Sequence, residues 1–123
     1  MNINTNTEKL LAVKDGPAGW ITFNQPAKRN AMSYDMWLGL DIALNEFIAD
    51  NAIRVIVLKG AGDKAFVSGA DISEFEQKRA NPQMVAEYNK VSVTIAQKLL
   101  TCTKPTIAMI RGFCMGEIGR ANV

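Results

Sequence analysis

Two short segments that contain glycine are the parts of this 123-residue sequence best suited to chemistry on a bound ligand. In AFVSGADI, residues 65–72, an apolar piece runs into Gly69 and then into a helix that we expect to start near Asp71. In IRGFCMGEIG, residues 110–119, an apolar strand runs into Gly112. Free backbone N–H groups at such turns attract an anion or stabilise a developing oxyanion. Each segment also fits an ordinary tight turn, with Asp71 as an N-cap and Gly112 needed for its backbone angles.

Other kinds of site find less support in the sequence. Histidine is absent, so proton transfer near neutral pH would require a carboxylate, a tyrosine or a lysine. Ser68 lies outside a G-x-S-x-G motif and has no histidine partner, which argues against a serine nucleophile. Asp71, Glu74 and Glu76 are typical of the acidic first turn of a helix rather than of a metal site. We therefore predict no metal site.

The composition is that of a soluble globular protein. Apolar residues make up 48% of the chain and charged residues 21%, and the net charge of +2 is too small to indicate a nucleic-acid or membrane partner. No apolar run approaches the ~18 residues of a membrane-spanning helix, and no signal peptide is visible. Cys102 and Cys114 lack metal-ligand spacing and indicate a reduced state. We therefore predict a cytoplasmic protein without an internal domain boundary.

The strands that must position the two glycine segments can be recognised from their apolar pattern. Residues 10–14 and 19–24 predict a hairpin, and residues 53–60 predict a buried parallel strand. A last strand begins at Pro105, where the missing N–H is tolerated. Both glycine-bearing loops leave the carboxyl ends of strands, which is where ligands of α/β sheets bind. Whether the two loops meet is left open by the sequence.

Two helices complete the predicted α/β fold. Ser33 is a plausible N-cap for the first helix, and Asn81 or Pro82 opens the second. Each helix has an apolar stripe at helical spacing. The stripes comprise Met36, Leu40, Leu44, Phe47 and Ile48 in the first helix, and Met84, Tyr88, Val91, Ile95 and Leu99 in the second.

Three stretches of the chain together resemble the crotonase superfamily, the enoyl-CoA hydratase/isomerase family. They are WITFNQPAKRNAMS at residues 20–33, KAFVSGADISEF at residues 64–75 and KPTIAMIRGFCMG at residues 104–116. The resemblance runs from about residue 10 to about residue 116. It implies a spiral of strand-strand-helix units, of which residues 1–123 would be the N-terminal part of a single domain.

The resemblance also implies a substrate and a site. The substrate would be an acyl-CoA or enoyl-CoA thioester, with coenzyme A as part of the substrate and no separate cofactor. The thioester carbonyl oxygen would lie between two backbone N–H groups, those of Ala70 and Glu117, and hydration or isomerisation would follow.

The same resemblance implies where coenzyme A would bind. Lys28 and Arg29 would face its phosphates and pantetheine arm, although the composition alone favours a solvated pair of loop cations there. The implied coenzyme A contacts are Lys28, Arg29 and Ala31 on one loop, and the backbone of Ala70, Asp71, Ile72 and Ser73 against the adenine end.

The last residues depart from the family pattern. Glu117 stands where the family has a glycine, and its carboxylate would oppose a developing oxyanion. Arg120 stands where hydratases have a glutamate, and a guanidinium stays protonated. We interpret residues 117–123 as an atypical tail, of the kind that a shifted reading frame or an early stop produces, before the second half of the fold.

This departure leaves three functional readings open. The first is an enzyme of crotonase type that the truncation impairs. The second is a catalytically inactive fragment that still binds coenzyme A. The third is an interaction fragment that docks on a full-length family member through its exposed sheet, and we also expect the chain to form homo-oligomers or to associate through that sheet.

Overall fold

The computed structural model describes residues 1–71, 81–110 and 112–115, and for residues 113–115 it describes the backbone only. A main sheet packs on two α-helices, and a small second sheet lies beside it. The elements in chain order are β1 (Asn2–Ile3), β2 (Leu10–Asp15), β3 (Ala18–Phe23), a 3-10 helix (Pro26–Lys28), α1 (Tyr34–Ala49), β4 (Val55–Gly60), β5 (Ala65–Ser68), α2 (Pro82–Leu100), β6 (Thr106–Met109) and β7 (Phe113–Met115).

The main sheet has the strand order β1-β2-β3-β4-β6. β1, β2 and β3 pair antiparallel, which confirms the predicted hairpin, whereas β3, β4 and β6 pair in parallel. β4 is shorter than the predicted strand of residues 53–60, because the Ile53 N–H donates to Asp50 O in a turn at the end of α1. The parallel pairing of β4 and β6 sends both of their following loops off the same edge of the sheet.

The core lies between one face of the main sheet and the helices. Burial alternates along β3 and at the start of β2, as expected for a sheet with one covered face, whereas three consecutive residues of β4, 56–58, are buried. Both helix starts are confirmed, since the Ser33 Oγ accepts the Met36 N–H at 3.3 Å and the Asn81 Oδ1 accepts the Met84 N–H at 2.8 Å. The fully buried large side chains are Leu10, Ile21, Phe23, Met36, Leu40, Leu44, Phe47, Ile53, Ile56, Leu58 and Phe66.

The two glycine segments meet in the small sheet. β5 and β7 pair in parallel, with Ser68 opposite Met115. Gly112 has φ 75, and a Cβ at this position would collide with the Lys64 backbone carbonyl. The glycine is therefore required both by its backbone angles and by the close approach of the two loops.

The outer face of the main sheet is apolar and partly exposed. Leu11 is 42% exposed on β2, and Ile107 and Met109 are 53% and 48% exposed on the edge strand β6. Lys59 covers the Trp20 ring, with its Nζ 5.4 Å from the ring centroid. No helix in the described part of the chain has the length and apolar character that a membrane span needs.

Candidate functional site

The loop between β3 and α1 is organised around the buried side chain of Asn30. Its Oδ1 accepts the Gln25 N–H at 2.8 Å, and its Nδ2 donates to the carbonyls of Ala61 at 3.1 Å and Ala65 at 2.8 Å. Asn30 has a left-handed backbone with φ 57, which asparagine tolerates better than most residues. One side-chain amide thus fixes this loop against the loop after β4 and against the start of β5.

A second polar link joins this loop to the first glycine segment. The carboxylate of Asp71, a residue only 4% exposed, accepts from Gln25 Nε2 at 3.2 Å and lies 3.4 Å from Lys28 Nζ. Gln25 Nε2 also donates to the Ala31 carbonyl at 2.7 Å. A buried carboxylate is expensive without donors, so these partners stabilise the position of Asp71. Lys28 was expected to face coenzyme A, and in the structure its ammonium group contacts Asp71.

The backbone of Ala70 is held with its N–H pointing outward. The Met32 N–H donates to Gly69 O at 2.7 Å, and the Asp71 N–H donates to Met32 O at 3.0 Å, as in a parallel bridge. Gly69 C=O and Ala70 N–H belong to one trans peptide group, in which the two bonds point in opposite directions. The N–H of Ala70, which is exposed, therefore points away from Met32, in a direction where an external acceptor can approach.

Side chains of both α-helices support the carbonyl oxygen of Met32. Tyr88 of α2 donates its hydroxyl to Met32 O at 2.6 Å, and Trp37 of α1 donates its indole N–H to the Tyr88 hydroxyl at 3.0 Å. Tyr88 and Trp37 are both buried. Met32 O thus accepts from Tyr88 and from Asp71, and it connects the helices to the first glycine segment.

The second glycine segment leaves the small sheet at the same end as the first. β7 ends at Met115, which pairs with Ser68, two residues before Ala70. The remaining predicted positions, Ile72, Ser73, Glu117 and Arg120, lie outside the described residues, as do Glu74 and Glu76.

An open cleft of about 200 Å³ lies beside the Asn30 loop. Arg29 and Lys64 both line it and are exposed, and Asp63 is an acidic neighbour. Two exposed cations at a cleft are suited to an anionic group such as a phosphate. Arg29 was predicted from the sequence, whereas Lys64 was not singled out, although it opens the stretch KAFVSGADISEF. The described residues contain no cluster of three or more potential metal ligands.

Sequence reasoning missed Gln25, Asn30 and the hydroxyl of Tyr88. Gln25 and Asn30 are polar residues in a loop, and their partners lie up to 46 residues away in the chain. Tyr88 was assigned to an apolar stripe, where its hydrogen-bonding partner cannot be seen from spacing. Their types were the only available signal, because buried polar side chains need partners.

Comparisons with known proteins identify the family of this chain. A family model for enoyl-CoA hydratase/isomerase matches residues 18–119, a range that includes the first three residues of the predicted tail. A short-chain-enoyl-CoA hydratase of Clostridium acetobutylicum is 33% identical over 87% of this chain and 40% of that protein. A mitochondrial 3-hydroxyisobutyryl-CoA hydrolase of Rattus norvegicus is 33% identical over 94% of this chain and 30% of that protein.

Solved structures agree with the sequence comparisons. An enoyl-CoA hydratase/carnithine racemase from Magnetospirillum magneticum superposes with a TM-score of 0.81 at 38% identity, over 90% of this chain and 42% of that one. An enoyl-CoA hydratase from Bacillus anthracis gives 0.85 at 25% identity, over 93% and 45%. The chain thus spans less than half the length of these relatives. It belongs to the enoyl-CoA hydratase/isomerase family and has the strand and helix arrangement of the crotonase fold.

Proposed function

We propose that this chain forms the part of an acyl-CoA site that polarises the thioester carbonyl, with the N–H of Ala70 as one donor. The supporting observation is the Met32 bridge, which directs this N–H outward. A preoriented donor stabilises the negative charge that develops on the carbonyl oxygen when a thioester enolate forms. Removing one such donor in other enzymes costs about 3–4 kcal/mol of transition-state stabilisation.

The second donor in this proposal is the backbone N–H of Glu117. Support comes from the parallel pairing of β5 with β7, because Ser68 and Met115 lie opposite each other where the two segments leave the sheet. The carboxylate of Glu117 would weaken the site by repelling the oxyanion. Arg120 stays protonated and cannot act as a base. The chemistry assigned to this chain is therefore carbonyl polarisation rather than proton transfer.

Coenzyme A binding in this proposal uses two surfaces. The backbone of residues 70–73 would contact the adenine end. Arg29 and Lys28, with Ala31 beside them, would face the phosphates and the pantetheine arm. The exposed guanidinium of Arg29 at the cleft supports this role, whereas Lys28, 45% exposed, shares its charge with Asp71. Coenzyme A enters as part of the substrate, and the proposal requires no other cofactor.

The reaction class follows from the family, whose named members include hydratases and hydrolases of CoA compounds. Polarisation of the thioester carbonyl is a step that these reactions can share. We favour hydration or isomerisation of an enoyl-CoA, because the family model is described by those activities.

Calorimetric titration with two matched ligands tests the proposal. Acetyl-CoA carries the thioester carbonyl, whereas S-ethyl-CoA is a thioether of nearly the same size without it. We expect acetyl-CoA to bind several-fold more tightly, because only its oxygen accepts the Ala70 N–H. Equal affinities would refute the carbonyl site, and binding of neither ligand would refute the coenzyme A site.

A second candidate function is that of a coenzyme A-binding fragment without turnover. It is favoured by Glu117 and Arg120, the two residues that depart from the family pattern. A crotonyl-CoA hydration assay distinguishes the candidates, since turnover supports the enzyme and tight binding without turnover supports the fragment.

Docking on a longer family member is the third reading, and the exposed apolar edge of β6 favours it. Co-purification with such a relative, together with no coenzyme A affinity, would support docking.

A further inference from the structure

Within the described part of the chain, the segment that carries the proposed donor, residues 69–71, has backbone hydrogen bonds only to Met32. Residues 69–71 form an isolated bridge to Met32 rather than a strand. Gly69 has φ 113, and a Cβ there would meet nothing within 4 Å, so the glycine is needed for its backbone angles and not for space. A donor must be held within roughly 10–20° of its productive direction to be effective. Other contacts must therefore supply this rigidity.

Tyr88 supplies one of them at the centre of the bridge. Its hydroxyl has a single proton and accepts the Trp37 indole N–H at 3.0 Å, which leaves the proton for Met32 O at 2.6 Å. Met32 O is the same atom that accepts the Asp71 N–H at 3.0 Å. The Tyr88 hydroxyl thus holds the Met32 carbonyl in place. That carbonyl in turn holds the peptide group between Ala70 and Asp71.

Asp71 supplies the second contact, through the side chain of the residue that follows Ala70. Its buried carboxylate is bound by Gln25 Nε2 at 3.2 Å and faces Lys28 Nζ at 3.4 Å. Rotation of the peptide between Ala70 and Asp71 would pull this carboxylate from its donors, and an unpaired buried charge is costly. The chain is thus anchored immediately after Ala70 by both its backbone and its side chain.

We infer that Tyr88 and Asp71 are positioning residues that fix the direction of the Ala70 N–H. The inference rests on the proposed function of that N–H. Neither side chain is assigned a contact with the thioester. Their effect on ligand binding is therefore limited to the part that depends on the carbonyl oxygen.

Tyr88→Phe tests the inference with a conservative change. We expect it to weaken acetyl-CoA binding roughly five- to tenfold, as the loss of one well-oriented hydrogen bond would, and to leave S-ethyl-CoA binding unchanged. Tyr34→Phe is the matched control. Tyr34 also joins α1 to α2, through a 3.5 Å contact with Glu87 at the surface, and its hydroxyl lies outside the bridge. We expect the control to alter neither affinity.

The direction of the N–H can also be measured without a ligand. Residual dipolar couplings report the orientation of individual N–H bonds, and we expect the Ala70 coupling to change in Tyr88→Phe but not in Tyr34→Phe. Asp71→Asn provides a second variant, which keeps an acceptor for Gln25 and removes the charge that faces Lys28. We expect it to change the Ala70 coupling in the same way.

The outcomes separate the inference from the function on which it rests. If the wild-type chain does not distinguish the two ligands, the proposed function fails. If it does distinguish them, and Tyr88→Phe weakens both ligands equally or neither, Tyr88 has only a structural role and the inference fails. Unchanged Ala70 couplings in both Tyr88→Phe and Asp71→Asn would also overturn it.

Discussion

The central role of Asn30 in the β3–α1 loop predicts a large loss of stability when its side chain is removed. Asn30 is fully buried, and its amide makes three hydrogen bonds. In Asn30→Ala the buried N–H of Gln25 and the buried carbonyl of Ala65 lose their partner, at about 1–3 kcal/mol each. Alanine in the left-handed region adds about 1 kcal/mol. The expected loss is therefore about 3–7 kcal/mol, a large share of the roughly 5–15 kcal/mol typical of a folded domain.

Urea unfolding followed by tryptophan fluorescence measures this loss, since Trp37 is buried in the core. Several protein concentrations should be used, because self-association would make the apparent stability depend on concentration. Asn6→Ala is the matched control, because Asn6 also has a left-handed backbone, with φ 65, but is exposed. We expect the control to lose about 1 kcal/mol. If Asn30→Ala loses no more than Asn6→Ala, the three hydrogen bonds contribute nothing measurable and the reasoning is refuted.

Three further predictions follow from the structure. Gly112→Ala should destabilise the chain by about 2 kcal/mol or more, because the new Cβ would collide with the Lys64 backbone. Gly16→Ala is the control and should lose only about 1 kcal/mol, because Gly16 has φ 58 and open space around it. Similar urea midpoints for the two variants would contradict this prediction. Lys14 contacts Asp50 at 2.8 Å and Glu46 at 3.0 Å. The hydrogen bond between Lys14 and Asp50 lowers the pKa of Asp50 below its ordinary 3.8. The same hydrogen bond raises the pKa of Lys14 above its ordinary 10.5. The stabilisation that comes from ionised Asp50 is then lost as pH falls below about 3.8, and the stabilisation that comes from protonated Lys14 is lost as pH rises above about 10.5. Lys14→Met should therefore make the free energy of unfolding depend less on pH in both ranges. An unchanged pH dependence would argue against the pair. The exposed edge strand β6 predicts self-association, which Ile107→Lys should reduce in light scattering; a wild-type monomer at all concentrations would contradict it.

Most of the fold could be predicted from the sequence, because its signals are local. Ser33 and Asn81 lie directly before apolar stripes and cap both helices as expected. The strands that were missed lack such a pattern. β1 has two residues, Asn2 and Ile3, and its formation depends on pairing with β2. β7 follows Gly112 in a stretch that reads as a turn, and it forms by pairing with β5.

The supports of the candidate site could not be predicted, because they connect distant parts of the chain. Asn30 reaches Ala65 and Gln25 reaches Asp71 only after β4 and β5 have folded beside the loop. The contact between Lys28 and Asp71 was likewise not visible in the sequence, and the role of Lys28 at the phosphates of coenzyme A stays a prediction. Ala70 was identified through the family resemblance, whereas the geometry that directs its N–H became visible only with the Met32 bridge.

The most direct measurement is the amide chemical shift of Ala70 during titration with acetyl-CoA. Glycine labelled with carbonyl ¹³C and alanine labelled with ¹⁵N select the two Gly-Ala pairs of the chain, which are Gly60-Ala61 and Gly69-Ala70. The Ala61 N–H is an internal reference, because it already donates to Phe23 O at 2.8 Å. We predict a downfield proton shift of Ala70 with acetyl-CoA, no such shift with S-ethyl-CoA, and a nearly constant Ala61 signal. An Ala70 signal that stays in place at saturating acetyl-CoA, or that moves equally with both ligands, would contradict the proposed carbonyl site.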